Sequence, residues 1–222
     1  MDIIHLEDED TYISILGRGN ETYGISIYEG EMGFDKFKLL VSQEKLNLSP
    51  YMGMYLQDNL TCYWGNREEL SKKQRDIIKD LGYKYRGKNQ WLYFMSYKTN
   101  YMPYHFDGDE VKRMTKYLSA LKNALELYMK ENPKIDFECG NMLCYSNKQN
   151  RISSKKIYFD DFGFNGIQMA DNKKLVKDLK KLPKTLDTLE IDILPMFTAI
   201  HDKSYDRPIN PAMCLIADKN QE

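Results

Sequence analysis

Between Leu81 and Phe106 the chain carries no acidic residue, while Lys84, Arg86, Lys88 and Lys98 interleave with Tyr83, Tyr85, Trp91, Tyr93, Phe94, Tyr97, Tyr101 and Tyr104. Rings stack on bases or sugars and cations hold phosphates, so such a strip is a candidate seat for an anionic ligand, single-stranded nucleic acid included. Tyr85, Arg86, Lys88, Trp91, Tyr93 and Tyr97 are its candidate ligand-binding residues. Strand alternation would set Tyr83, Tyr85, Trp91, Tyr93 and Tyr97 on one face and Lys84 and Arg86 on the other. That separation favours a plainer reading, an aromatic core hairpin whose basic edge discourages sheet-to-sheet pairing.

Carboxylates offer a second chemistry. Asp160, Asp161, Glu190 and Asp192 fall on two expected strands and could align around Mg²⁺, which would stabilise a phosphoryl transition state. The nuclease pattern Asp…Glu-x-Lys is incomplete, because Asp192 stands at the lysine position. An ordinary solvent face accounts for the same residues. His201, Asp202 and Asp206 could likewise hold a metal, and a polar loop before Pro208 and Pro211 explains them more simply. Gly17-Arg18-Gly19 is not a phosphate loop: a strand follows it where an anion-binding helix should, and no Gly-Lys-Ser or Gly-Lys-Thr occurs. His5 falls in a terminus expected to fray and His105 precedes a long helix. The chain has neither a Gly-x-Ser-x-Gly elbow nor a His-Glu-x-x-His helix. No metal or cofactor is assigned.

The bulk properties narrow the setting. With 222 residues, 42% of them hydrophobic and 29% charged, the chain can bury a substantial core. A formal net charge of −1 leaves no global field to attract nucleic acid or an anionic membrane, so an electrostatic partner must meet a local patch. No apolar run is long enough to span a bilayer, and the acidic Asp2–Asp10 stretch lacks signal-peptide order. A cytoplasmic protein with no membrane association is expected. Cys62, Cys139, Cys144 and Cys214 lack CxxC or zinc-finger spacing and read as reduced, buried thiols. Seventeen Tyr against nine Phe point to wet sheet edges or to a recognition surface, because a buried hydroxyl needs a partner.

The elements that must position these residues follow from periodicity. Tyr12 to Leu16 and Tyr23 to Ile27 alternate around Gly17-Arg18-Gly19-Asn20 as a hairpin. Breaks at Gly30 and Gly33 lead to a helix with Phe34, Phe37, Leu40 and Val41 on one face. Residues 51–57 and 60–64 form a second hairpin about Asp58-Asn59. Ser71 and Gln74 make a capping box for a short helix that buries Ile77, Ile78 and Leu81 and stops at Gly82. Residues 83–86 and 91–97 form a third hairpin around Gly87-Lys88-Asn89. Asp107 and Glu110 cap the longest helix, whose stripe is Val111, Met114, Leu118, Leu121 and Leu125, and Asn132-Pro133 ends it. A domain boundary is placed there, dividing residues 1–132 from 133–222.

Beyond it, strands are expected at 142–145 and 157–162, joined by a polar and basic loop through Arg151 and Ser154. A lysine-rich helix capped by Asp171 carries Leu175, Val176 and Leu179, with Lys173, Lys174, Lys177, Lys180, Lys181 and Lys184 on its solvated side. Leu189, Ile191 and Ile193 alternate with Glu190 and Asp192, and residues 212–217 make a final strand. The fold class is α+β: two small units of antiparallel sheet with covering helices.

Three blocks carry a family resemblance: Gly17-Arg18-Gly19 with Glu21-Thr22-Tyr23-Gly24, the run from Cys62 to Ser71, and the run from Tyr85 to Phe94. With them, the N-terminal portion resembles bacterial proteins labelled only as domains of unknown function, and the C-terminal portion looks like the companion domain that follows. The resemblance implies a bacterial cytoplasmic setting and no chemistry. Read from its residues, the chain is a non-catalytic binding or interaction protein with a protein partner or an anionic ligand. A metal-dependent enzyme acting on phosphate esters and a single-stranded nucleic-acid binder are the rivals.

Overall fold

In the computed structural model, the described residues are 2–17, 22–42, 57–158, 177–178, 180–183, 189–196 and 198–218. The first hairpin forms as its alternation requires, with β2 (Thr11–Leu16) antiparallel to β3 (Tyr23–Glu29). The terminus before it is not frayed. Asp2–Leu6 is strand β1, antiparallel to β2, with Ile3, Ile4 and Leu6 buried and His5 stacked on Tyr12 at 4.2 Å. Burial lowers the His5 pKa against the opposing pull of Glu7 and Asp10.

Helix α1 (Gly30–Val41) follows β3 directly and lays Phe37 and the partly buried Phe34 and Leu40 on one face of the sheet, while Val41 is exposed. Gly33 lets the helix approach closely: a Cβ there would stand 3.1 Å from the Tyr28 carbonyl carbon. Strand β4 (Asn59–Gly65) begins where a turn was expected, and the proposed partner strand at 51–57 lies outside the described residues except for Gln57. Helix α2 (Lys72–Asp80) starts on the expected capping box, in which the Ser71 hydroxyl accepts from the Gln74 N–H and the Gln74 side chain accepts from the Ser71 N–H. Gly82, at φ +80°, closes it in a conformation that side chains rarely adopt.

Strand β5 (Trp91–Tyr97) pairs with β4, but residues 83–86 form no strand, so the third hairpin does not exist. Alternation in Tyr83-Lys84-Tyr85-Arg86 is genuine, yet a strand needs a neighbour. That segment instead passes the sheet edge as irregular chain. Helix α3 (Gly108–Glu131) has the expected Asp107–Glu110 capping box and ends at Asn132, whose φ of +46° breaks the helix.

Strands β6 (Asn141–Ser146) and β7 (Arg151–Lys156) complete a seven-stranded sheet of order β5-β4-β3-β2-β1-β6-β7. All neighbours are antiparallel except β1 and β6, which run parallel. The boundary expected after Asn132 therefore falls inside one sheet. The strand that follows β6 is Arg151–Lys156, not 157–162: an edge strand with one neighbour tolerates the exposed polar side chains that look like a loop. Residues 159–162 lie outside the described part.

Two cores flank the sheet. Met114, Tyr117, Leu121 and Ala124 of α3 pack on Ile4, Ile13, Ile27, Leu60 and Leu143, while α1 covers Ile3, Tyr12 and Tyr28 on the other face. Strands β8 (Leu189–Pro195) and β9 (Ala212–Asp218) form a separate antiparallel pair, in which Ile191, Ile193, Leu215 and Ile216 are exposed. The lysine-rich helix expected at 171–183 lies largely outside the described residues. The mixture of one large sheet, one strand pair and covering helices is the α+β class.

Candidate functional site

The strip from Leu81 to Phe106 meets α2 at the β5 edge, and the two build a cleft of about 540 Å³. Its lining includes Arg67, Lys72, Arg75, Lys79, Lys84 and Arg86, against a single carboxylate, Asp76. Tyr83, Tyr85 and Trp91 supply the rings. Tyr83 and Tyr85 are stacked at 6.0 Å with planes 5° apart, and Trp91 meets Tyr85 edge-on at 6.1 Å.

Because residues 83–86 are not a strand, Lys84 and Arg86 are not turned away from the tyrosines: cations and rings line one cleft. Burial raises the Tyr85 pKa, and neighbouring Tyr83 adds to the shift, so the phenol stays protonated and able to donate a hydrogen bond at neutral pH. Arg75 is anchored by its guanidinium, which donates to the Leu70 carbonyl at 2.5 Å and to the Arg67 carbonyl at 3.3 Å.

The six candidate residues divide four ways. Tyr85, Arg86 and Trp91 line the cleft. Lys88 sits in the exposed turn at Gly87–Asn89 and does not. Tyr93 donates to Glu69 Oε2 at 3.0 Å and lines a neighbouring apolar groove; burial is the first cause of its raised pKa, and Glu69 adds to it. Tyr97 shares a 2.8 Å hydrogen bond with Tyr63 and borders a small polar pocket beside Lys98 and Glu110. The cations missed are Arg67, Lys72, Arg75 and Lys79. The spacing of three and four from Lys72 to Arg75 to Lys79 places these three on one face of α2, a periodicity legible in the sequence beside the apolar one of the same helix.

Those apolar residues are the other correction, because α2 has no buried residue: Ile77 is 48% exposed and Leu81 67%. Of the carboxylates, Glu190 and Asp192 are exposed on β8, whereas Asp160 and Asp161 lie outside the described residues. Asp202 accepts the Ser204 N–H at 2.8 Å, closing a turn, and Asp206 stands 3.6 Å from Arg207. Among the described residues no three His, Cys, Asp or Glu side chains group as a metal site. The cysteines are all free, but only Cys62 and Cys144 are buried, and burial pushes the Cys62 thiol up to about 12.

A buried polar cluster joins the C-terminal part to the sheet. Arg207 donates to the Ser96 hydroxyl at 2.8 Å and to Glu110 Oε1 at 3.3 Å, and Ser96 donates to the same carboxylate oxygen at 2.8 Å. Around it the Met102 N–H donates to the Pro208 carbonyl at 2.9 Å, and the Asn210 N–H to the Asn100 carbonyl at 3.0 Å. Nothing in the Asp206-Arg207-Pro208 sequence signals this role.

Sheet, helices and cleft together define an α+β protein with a basic, ring-walled surface cleft at a sheet edge. The chain belongs to the family described as Domain of unknown function (DUF7309), which matches residues 2–145. Residues 175–222 are similar to a second family, Domain of unknown function (DUF6930). No curated protein and no solved structure matches the chain. No helix among the described residues is long and apolar enough to cross a membrane.

Proposed function

We propose that the protein is a non-catalytic binding protein that seats a phosphate-bearing ligand in the cleft between α2 and the start of β5. One observation carries this reading: six cations and one carboxylate surround a cavity whose other wall is Tyr83, Tyr85 and Trp91. A local excess of this size attracts polyanions even though the whole chain is nearly neutral, and arginine forks match phosphate oxygens in pairs. Single-stranded nucleic acid is the second reading, favoured by the rings, since bases stack on aromatic faces. The free cysteines are in keeping with a cytoplasmic setting.

The test pairs two variants. Lys79→Ala with Arg86→Ala removes two lining cations, while Lys88→Ala removes a cation outside the cleft. Nucleotides, short DNA and RNA single strands and inorganic phosphate are titrated at low salt. The double variant is expected to bind at least about tenfold more weakly and with a flatter salt dependence, because fewer counterions are released. Lys88→Ala is expected to match the wild type. Both should melt as wild type, since exposed truncations usually stay within about 0.5 kcal/mol. Equal losses in the two variants would place the anion outside the cleft, and no binding by the wild type would remove the reading.

A further inference from the structure

On the other side of α2 lies an apolar groove of about 360 Å³. Leu92, Phe94 and Phe106 line it from the strand β5 side, Ile77 and Leu81 from α2, and Val111 from the first turn of α3. Helix α2 buries none of its residues, so its apolar stripe is not spent on the protein's own core: Ile77 and Leu81 face this groove and remain open to solvent. The groove and the basic cleft are neighbours. Ile78, Tyr83 and Tyr85 line both, so these side chains form the ridge between the two, and Tyr83, 59% exposed, stands open to solvent on it.

We infer that the ligand is a phosphorylated amphiphile, its anionic head among the cations of the cleft and its apolar chain or ring system crossing the Tyr83–Tyr85 ridge into the groove. This rests on the phosphate-binding reading of the cleft and adds the identity of what the phosphate is attached to. Charge complementarity selects the occupant. An uncharged apolar molecule would leave six lining cations opposed by one carboxylate, and a simple phosphate would leave the exposed side of α2 in water. A nucleic-acid strand would use the rings and the cations, the groove's Tyr93 and His105 included, but has no aliphatic chain to set against Ile77, Leu81, Leu92 and Val111. A molecule with both parts satisfies both surfaces at once. The phenols of Tyr83 and Tyr85 suit the crossing point, apolar along the ring and polar at the tip.

The experiment is a titration of the full chain with inorganic phosphate, butyl phosphate and octyl phosphate below its micelle concentration, with octyl glucoside as the uncharged control and a short DNA single strand as a competitor. Affinity is expected to rise about two- to fourfold per added methylene, the gain for burying each group in an open groove, so octyl phosphate should bind far more tightly than phosphate. Ile77→Gln with Leu81→Gln, both exposed positions, should abolish the chain-length dependence and leave phosphate affinity unchanged. Lys79→Ala with Arg86→Ala should weaken the whole series. Thermal melts check that each variant is folded.

Equal affinity for phosphate and octyl phosphate would overturn the inference while leaving the cleft reading intact. Octyl glucoside binding as tightly as octyl phosphate would also overturn it, because the anion would then contribute nothing. DNA binding unaffected by the glutamine variant, with no chain-length effect, would assign the site to nucleic acid. Failure of every phosphate and of the DNA strand would remove both readings together.

Discussion

Replacing Arg207 with alanine is expected to lower the free energy of unfolding by about 3–5 kcal/mol, the range that follows removal of one partner from a buried ion pair. Arg207 is 4% exposed and Glu110 1%, so neither charge can turn to water when the other is lost. The carboxylate keeps the Asp107 N–H at 2.9 Å, the Ser96 hydroxyl and Lys98 at 3.3 Å, and these set the loss toward the lower end of the range. Lysine should not rescue the site, because one ammonium cannot repeat the fork that reaches Ser96 and Glu110 together. Urea unfolding of Arg207→Ala, Glu110→Gln and the double variant measures the coupling. Glutamine preserves the capping box, so the double variant should lose clearly less than the two single losses added together. Strict additivity would mean that the pair contributes nothing.

The same cluster predicts a pH dependence. Burial acts to raise the Glu110 pKa, but the Asp107 N–H, the Ser96 hydroxyl and the charges of Arg207 and Lys98 outweigh it and hold the carboxyl below its ordinary value. A carboxyl depressed in the folded state contributes stability that is fully present above its unfolded pKa, about 4.3, and is lost as pH falls through the folded value. Arg207→Ala removes one of the lowering charges and shrinks that contribution. The stability gap between wild type and variant should therefore narrow as pH falls below about 5. A gap constant across that range would show that Glu110 does not titrate against Arg207.

Local signals were legible and non-local ones were not. The Ser71–Gln74 and Asp107–Glu110 capping boxes and the Tyr12–Ile27 alternation are written within a few residues, and all three form. Strand β1 reads as an acidic end because its partners are distant in sequence: β6 pairs Ile4 with Leu143, the α3 cluster takes up Ile4 and Leu6, and the α1 cluster takes up Ile3. Strand β7 looked like a loop because an edge strand needs no buried face. At the candidate site, Tyr85, Arg86 and Trp91 could be named from composition alone, but the cleft exists only because α2 brings Lys72, Arg75 and Lys79 beside them. Period-two alternation, imposed on a segment with no strand partner, separated Lys84 and Arg86 from the rings they actually accompany. The stripe on α2 was visible and its destination was not, since periodicity identifies an apolar face without saying whether the core or a ligand covers it.

Helix α3 supplies the opposite case, a stripe that the core does take up, and Leu121→Ala is expected to cost about 2–5 kcal/mol. Leu121 is 3% exposed and belongs to the cluster that also contains Met114, Tyr117 and Ala124 of α3 and Ile13, Ile27 and Leu60 of the sheet. Truncation removes apolar surface from this layer and leaves a space that sheet strands, tied to neighbours on both sides, close only in part. Position along the stripe should grade the effect. Leu118 is partly buried and its alanine variant should lose less, whereas Val111, 49% exposed at the groove rim, should stay within about 0.5 kcal/mol. Urea unfolding with matched m-values gives the comparison, because an unchanged slope assigns the shift in midpoint to stability alone. If Val111→Ala were as costly as Leu121→Ala, the α3 N-terminus would be packed rather than open, and the apolar groove beside it would be closed in solution.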